Sequence, residues 1–119
     1  MLTPEGKVKN EVKKVLKRYN AFFHMVVPCG YGQSGFPDFV ACVPLTVTPG
    51  MVGKTIGVFV GIETKAPGKI KHTTPIQRRT LREIGEASGV AVVADDASQV
   101  EPVLDLLKSK GTTMTFIPE

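Results

Sequence analysis

The sequence predicts an α/β fold with a mixed sheet, in the element order α-β-β-β-α-β followed by a C-terminal helix. Three observations favour this fold. Apolar residues recur at helical spacing near the N-terminus. Short apolar segments follow, separated by loops rich in glycine and proline. Residues 55–94 then read as strand, helix and strand, a unit whose strands pair in parallel through a right-handed crossover. The 119 residues have the size of a single domain spanning 1–119.

The first helix has clear boundaries in the sequence. Thr3-Pro4 supplies a hydroxyl N-cap followed by proline at the first helical position. Val8, Val12 and Leu16 form an apolar stripe, and Asn20 is the expected end. The next elements are predicted to be a strand at 21–28, a glycine-rich loop at 29–36, a strand at 37–43 and a connecting loop at 44–54. These two strands can pair as an antiparallel meander.

The second half of the chain begins with its longest strand signal, at 55–65, followed by a basic loop. Thr74-Pro75-Ile76-Gln77 has the form of a capping box, so a second helix is predicted from there to about Ala87. Gly89 is expected to end that helix. The remaining elements are predicted to be a buried strand at 90–94, a helix at 99–109 with a capping box of Ser98 and Glu101, and an edge strand or tail at 112–117.

Composition excludes several classes of protein. Hydrophobic residues make up 42% of the chain and charged residues 22%, as in ordinary globular proteins. No apolar run reaches the roughly 18 residues that a membrane span needs, and the N-terminus lacks the apolar stretch of a signal peptide. We therefore expect a cytoplasmic protein, in the host-cell cytoplasm if it is viral. Cys29 and Cys42 alone make neither a disulfide framework nor a structural zinc site, so each is expected to be a small buried residue or a free thiol.

Positive charge is concentrated in the first part of the chain. Residues 1–82 contain 13 Lys and Arg and four acids, a net charge of +9, whereas residues 83–119 have a net charge of −5. This asymmetry is typical of proteins that bind a polyanion such as nucleic acid, although a solvated basic face without a partner is the alternative. Acids inside a phosphate-binding surface weaken binding unless they have another task, such as holding a cation.

Two of these acids lie at strand ends. Alternation places Glu63 and Lys65 on one face of the 55–65 strand. If that strand pairs antiparallel with 38–43, Asp38 comes beside Glu63. Two adjacent carboxylates repel unless a cation lies between them, and hard oxygen ligands suit Mg²⁺ or Mn²⁺. The alternatives are an ordinary surface ion pair and a turn aspartate that accepts local N–H groups.

A third acid, Glu5, shares the helical stripe of Val8, Val12 and Leu16. A charge in a core-facing stripe needs a partner; the alternative is a carboxylate that stabilises the helix N-terminus. Three acids and a lysine in one cluster would suit metal-assisted phosphodiester hydrolysis. In such a site Lys65 would position water or stabilise developing negative charge.

Four short motifs in order resemble those of a known nuclease superfamily. Gly35-Phe36-Pro37-Asp38 and Ile62-Glu63-Thr64-Lys65 resemble the Pro-Asp…(Asp/Glu)-X-Lys pattern. With Glu5 on the first helix and Gln77 on a later one, the chain is similar to the VRR-NUC domain, the small virus-type replication-repair nuclease module. The resemblance covers residues from about 3 to 108 and implies a restriction-endonuclease-like core.

The resemblance also implies roles for these residues. Glu5, Asp38, Glu63 and the Thr64 carbonyl would bind Mg²⁺ or Mn²⁺, Lys65 would be the catalytic lysine, and Gln77 would be directed toward the site or the DNA, unless it serves only in the capping box. It implies a homodimeric endodeoxyribonuclease that acts on branched DNA such as four-way junctions. The loop 44–54 is a candidate dimer contact. A non-catalytic DNA-binding or assembly protein, or an RNA-processing nuclease of the same fold, are the alternative functions.

Further residues are candidates for contacts with the DNA backbone. Such contacts position a nucleic acid without specifying its sequence. One group follows the first strand and the other follows the 55–65 strand. The candidates are Tyr31, Gln33 and Ser34 in the glycine-rich loop, and Lys69, Lys71, Arg78 and Arg79 in and after the basic loop.

Overall fold

A computed structural model describes residues 2–26, 35, 37–110 and 115–116. Its elements confirm the α/β class and the predicted order, and of the two alternatives for 112–117 they show a short edge strand. The helices are α1 (Pro4–Arg18), α2 (Pro75–Glu86) and α3 (Glu101–Lys110), and the strands are β1 (Phe22–Met25), β2 (Phe39–Cys42), β3 (Val60–Thr64), β4 (Val90–Ala94) and β5 (Thr115–Phe116).

The strands of the described residues form two sheets instead of the single mixed sheet predicted. β1 and β2 pair antiparallel, with Phe22 opposite Cys42 and Met25 opposite Phe39. The other sheet is parallel, in the order β3-β4-β5. The pairing of β1 with β2 and the parallel pairing across the β3-α2-β4 unit confirm two predictions.

The predicted antiparallel pairing of the 38–43 and 55–65 strands is wrong for the described residues, because β2 and β3 lie in different sheets. The 55–65 strand is also shorter than predicted, since β3 begins only at Val60. Residues 55–58 alternate suitably but pair with none of the described strands; around Gly57, for example, no atom of the described residues beyond its chain neighbours lies within 4 Å of where a Cβ would be. Alternation alone therefore did not make a strand there.

Local capping signals place the ends of α1 and α2. The Gly6 N–H donates to Thr3 Oγ1 at 2.9 Å. α1 ends at Arg18, and Asn20, two residues later, has a left-handed φ of 57°. The capping box of α2 is confirmed by a bond from the Gln77 N–H to Thr74 Oγ1 at 3.1 Å and one from the Thr74 N–H to Gln77 Oε1 at 3.0 Å. Both helix starts were thus correctly predicted.

The end of α2 differs from the prediction in one respect. Ser88, and not Gly89, adopts the left-handed conformation, with φ 68°. The Ser88 N–H donates to the Gly85 carbonyl and the Gly89 N–H to the Ile84 carbonyl, the paired bonds of a Schellman motif. Gly89 is needed for a different reason, since a Cβ there would lie 2.9 Å from Cγ2 of Ile84.

The start of α3 also differs from the prediction. A 3₁₀ turn occupies Ala97–Gln99, and α3 begins at Glu101, so Ser98 is not its N-cap. Instead the Asp96 carboxylate accepts the Ser98 N–H at 2.9 Å. This bond holds the pKa of Asp96 below its ordinary value of 3.8. Asp96 therefore caps the 3₁₀ turn, and the predicted capping box of Ser98 and Glu101 does not form the start of α3.

The core surrounds β4, all five of whose residues are buried. On one face Leu81 and Ile84 of α2 pack against Ala91 and Val93. On the other face α3 packs against Val90 and Val92 through Val103 and Leu107. A helix on each face of a short parallel sheet is the arrangement that buries such strands. No helix in the described part of the chain is long and apolar enough to cross a membrane.

The β1-β2 hairpin contacts this core at one end. The Phe22 ring packs edge-on against Phe59, with centroids 5.9 Å apart. Cys42 is buried, and its thiol donates to the Ala87 carbonyl at 3.5 Å. Burial raises the pKa of this thiol, so it remains protonated and apolar in character. Cys42 is therefore a small packing residue, as expected; Cys29 lies outside the described residues.

Candidate functional site

Glu63 and Lys65 lie at the carboxyl end of β3, on the face covered by α2. Gly61 marks this face, since a Cβ there would lie 2.6 Å from Cδ1 of Ile84. Lys65 Nζ is 3.5 Å from Glu63 Oε1, and only 16% of the lysine side chain and 30% of the glutamate side chain are exposed. The prediction that an acid and a base lie side by side here is confirmed.

Gln77 joins this pair from the first turn of α2. Lys65 Nζ donates to Gln77 Oε1 at 2.9 Å, and the same oxygen accepts the Thr74 N–H at 3.0 Å. The capping interpretation of Gln77 is therefore confirmed, and the same oxygen also binds Lys65; a role of Gln77 at a catalytic site or toward DNA stays a prediction. Because the capping box fixes the Gln77 side chain, the oxygen that receives Lys65 is itself held in place. The ammonium is positioned by two elements that are distant in sequence.

Backbone hydrogen bonding determines where the Thr64 carbonyl points. The Val90 N–H donates to the Phe59 carbonyl, and the Lys65 N–H donates to the Ala94 carbonyl. In a parallel ladder these bonds come from alternate residues, so the odd-numbered residues of this strand face β4. The N–H and carbonyl of Thr64 consequently point to the other edge, which none of the described strands covers.

Asp38 lies at the start of β2 and is exposed. Its carbonyl accepts the Val26 N–H at 2.8 Å, which extends the β1-β2 ladder by one residue. The strand pairing that was expected to bring Asp38 to Glu63 does not occur. The described residues contain no group of three or more His, Cys, Asp or Glu placed to hold a metal ion. A shared site for Asp38 and Glu63 stays a prediction.

Glu5 lies in the first turn of α1 with 76% of its side chain exposed. Its Oε1 is 3.9 Å from Nζ of Lys9, one turn further along the same helix. This position matches the alternative interpretation, a carboxylate near the positive end of a helix. The proposed role of Glu5 in binding metal stays a prediction.

The basic residues differ in how they are held. Lys69 and Lys71 are exposed in the loop between β3 and α2. Arg78 Nε donates to the Thr73 carbonyl at 3.4 Å, and Arg79 Nε donates to Glu83 at 3.0 Å. The two lysines therefore extend from the surface, whereas both arginines are engaged along α2. Three other candidates, Tyr31, Gln33 and Ser34, lie outside the described residues.

One residue near this site was missed by the sequence analysis. Asp95 directly follows β4, and its carboxylate accepts the N–H of Gly68 in the basic loop at 2.8 Å. The position of Asp95 directly after a buried strand could have identified it from the sequence, because polar residues just after the carboxyl ends of buried parallel strands commonly lie at functional sites. Asp95 lies in the acidic half of the chain, so it does not stand out as an acid among basic residues.

Comparisons with protein-family models, curated proteins and solved structures gave no match for this chain.

Proposed function

We propose that the protein is a divalent-metal-dependent endodeoxyribonuclease with a restriction-endonuclease-like core of the VRR-NUC kind. The observation that carries the proposal is the cluster of Glu63, Lys65 and Gln77 at the carboxyl end of β3. A lysine held between a carboxylate and an amide oxygen, on the edge of a basic surface, suits the hydrolysis of a phosphodiester bond.

Lys65 acts on the charge that develops at the phosphate. Its ammonium has three N–H donors, and its partners among the described residues are Glu63 and Gln77. The third donor is then available to a phosphate oxygen. Because the side chain is largely buried and already held, little reorganisation is needed when the reaction occurs, which is how preorganised donors stabilise a transition state.

Glu63 and the Thr64 carbonyl supply the oxygen donors for a divalent cation. Mg²⁺ commonly keeps several waters and is bound by one or two carboxylates together with substrate phosphates. An acid beside an edge-directed carbonyl fits this requirement, and Mn²⁺ accepts the same ligands. Such an ion would lower the pKa of a bound water and offset charge on the phosphate.

The position of the β1-β2 hairpin supports a role for Asp38. Cys42 and Phe22 form the end of the hairpin that lies near Phe59. Asp38 is four residues from Cys42, and Glu63 is four residues from Phe59. Each carboxylate thus lies four residues along its strand from the end near Phe59, and at about 3.3 Å per residue the two are at the same level if the hairpin lies alongside β3 without hydrogen bonding to it.

The basic loop and the exposed apolar residues support the proposed substrate and assembly. Lys69 and Lys71 are placed to contact phosphates beside the site. In the loop 44–54, Leu45, Val47 and Val52 are exposed, the last by 82%. A homodimer that covers this loop would present two sites related by a two-fold axis, which suits branched DNA such as a four-way junction.

A panel of end-labelled substrates tests the proposal. Four-way junction, flap, duplex and single-stranded DNAs and a matched RNA are incubated with Mg²⁺, Mn²⁺ or EDTA. We expect cleavage of junction DNA that EDTA abolishes. Lys65→Ala and Glu63→Gln should each lower kcat by about 100-fold or more, because a single preorganised donor can contribute roughly that much.

Two residues of α3 provide matched controls. Lys108→Ala and Glu101→Gln remove the same charges from the helix that covers the opposite face of the sheet, so they should leave cleavage unchanged. Metal-independent binding without cleavage would instead favour the non-catalytic DNA-binding protein. Preferential cleavage of RNA would favour the RNA-processing nuclease.

A further inference from the structure

The geometry points to Asp95 as a positioning residue that holds the basic loop 66–72 against the carboxyl ends of β3 and β4, so that Lys69 and Lys71 are presented to phosphates. This inference rests on the proposed function, because it concerns how the same site binds the nucleic-acid backbone. Asp95 itself has no contact with substrate in this role. It acts through the loop.

Asp95 is tied to both the sheet and the loop. The Lys65 N–H donates to the Ala94 carbonyl, so the chain that carries Asp95 continues directly from the ladder beside the catalytic lysine. The Asp95 N–H donates to Gln99 Oε1 at 2.9 Å, which fixes its backbone. Its Oδ2 then accepts the Gly68 N–H at 2.8 Å. The carboxylate therefore connects the loop to the end of the buried strand β4.

The bond to Asp95 satisfies a loop amide that the turn itself does not use. The Lys69 N–H donates to the Ala66 carbonyl at 2.9 Å, and Gly68 has φ +78°. With Pro67 before it, this is the pattern of a type II turn, in which the residue in the third position needs a positive φ. The hydrogen bond that closes the turn does not involve the Gly68 N–H, and the Asp95 carboxylate accepts the bond that this N–H donates.

A second anchor holds the other end of the loop. Ile70 packs against the cluster formed by α2 and β4. The buried Thr73 donates its hydroxyl to the Ile70 carbonyl at 2.6 Å. Lys69 thus lies between a polar anchor at Gly68 and an apolar one at Ile70, and Lys71 directly follows Ile70. Both lysines remain exposed, so the anchored loop presents them to solvent beside the site.

Charge and positioning predict opposite effects for Asp95, which makes the two separable. A carboxylate beside a phosphate-binding loop repels DNA, so removal of its charge alone should tighten binding. Loss of the loop anchor should weaken binding, because the lysines must then be ordered when DNA binds. The sign of the change in Kd therefore distinguishes a positioning residue from an acid that merely lies nearby.

The test measures Kd for a labelled four-way junction by fluorescence anisotropy at several salt concentrations. Asp95→Ala should raise Kd by about 5- to 10-fold, and Asp95→Asn, which keeps an acceptor oxygen without the charge, should restore binding to wild-type strength or better. The slope of log K against log salt should fall by about 1 to 2 in the alanine variant, since each phosphate contact contributes about 0.9. Asp96→Ala removes the same charge one residue away and should not raise Kd.

A double-mutant cycle shows whether Asp95 acts through the loop. In a Lys69→Ala/Lys71→Ala background, Asp95→Ala should no longer raise Kd, because the groups that it positions are gone. The exchange rate of the Gly68 amide, followed by NMR without DNA, should increase in Asp95→Ala and remain close to wild type in Asp95→Asn. Thermal melts identify any loss of the whole fold.

The outcomes separate this inference from the proposed function. A wild-type protein that binds the junction but does not cleave it contradicts the nuclease proposal, whereas the sign of the Kd change still decides the role of Asp95. The inference is overturned if Asp95→Ala binds the junction as tightly as wild type or more tightly, or if its Gly68 amide exchanges at the wild-type rate. Wild-type protein that binds no DNA would overturn both.

Discussion

Two regions of the molecule use apolar residues in contrasting ways. In the packed region, from Val60 to Lys110, strands and helices alternate, and among the described residues it contains all the buried apolar ones except Cys42. The open region comprises the described residues between 2 and 58. Its helix α1 has no buried residue, and most of the large apolar side chains that are exposed lie in this region. The difference teaches that apolar content becomes a core only where a parallel unit has a helix on each face.

The candidate site is divided between these regions. Glu63, Lys65 and Gln77 belong to the packed region, where tertiary contacts hold them in hydrogen-bonding distance. Glu5 and Asp38 belong to the open region, where both are exposed. The part of the site that the structure brings together is therefore the part that lies on the β3-α2-β4 unit, which contains most of the buried core.

The largest expected effect is on the core of the packed region. Ile84→Ala removes a buried side chain that packs on Ala91 and Val93, and it should lower the free energy of unfolding by about 2–5 kcal/mol. Val8→Ala, on the open face of α1, should change it by less than about 0.5 kcal/mol. Urea unfolding measures both variants. Equal losses would show that the two regions are packed alike.

A glycine pair tests packing at the edge of this core. In Gly89→Ala the new Cβ would meet Cγ2 of Ile84 at 2.9 Å and Sγ of Cys42 at 3.1 Å, whereas around Gly57 no atom lies within 4 Å. Gly89→Ala should therefore be destabilising by about 1–3 kcal/mol. Gly57→Ala should have an effect below about 1 kcal/mol. Thermal or urea unfolding distinguishes them, and a neutral Gly89→Ala would contradict the packing.

Two N-cap threonines compare the helices of the two regions. Thr74→Ala removes the cap of α2, which is part of the core, and should lower the free energy of unfolding by about 1 kcal/mol. Thr3→Ala removes the same kind of cap from α1. Because α1 buries no residue, its first turn can open locally, so global stability should barely change. Amide exchange in the first turn of α1 should increase all the same.

The smallest expected effect is the pH dependence that Asp96 confers. Its folded pKa is lowered, chiefly by the hydrogen bond from the Ser98 N–H. A carboxylate of this kind contributes stability above its unfolded pKa and loses it as pH falls through the folded value. Asp96→Ala should therefore be less stable than wild type at pH 7, and the difference should shrink below about pH 4. Thermal melts across this range measure it, and a constant difference would contradict the assignment.

Most of the local structure could be predicted from the sequence. The start of α1 at Thr3-Pro4 and the capping box of α2 were predicted, because caps depend on residues a few positions apart. The left-handed residue after α2 was misplaced, since Ser88 occupies the position expected for Gly89. The pairing of Glu63 with Lys65 was also predicted, because alternation along one strand decides it.

The sequence by itself determined most of the helices and strands, and that an acid and a lysine share one face of β3. Only the tertiary structure decided that β3 begins at Val60, which strands are neighbours, that Gln77 reaches Lys65, and that Asp95 accepts a hydrogen bond from the basic loop. The physical reason is the range of the interactions. Caps, turns and alternation are satisfied within a few residues, whereas strand pairing and contacts between elements depend on which combination of distant segments buries the most apolar surface.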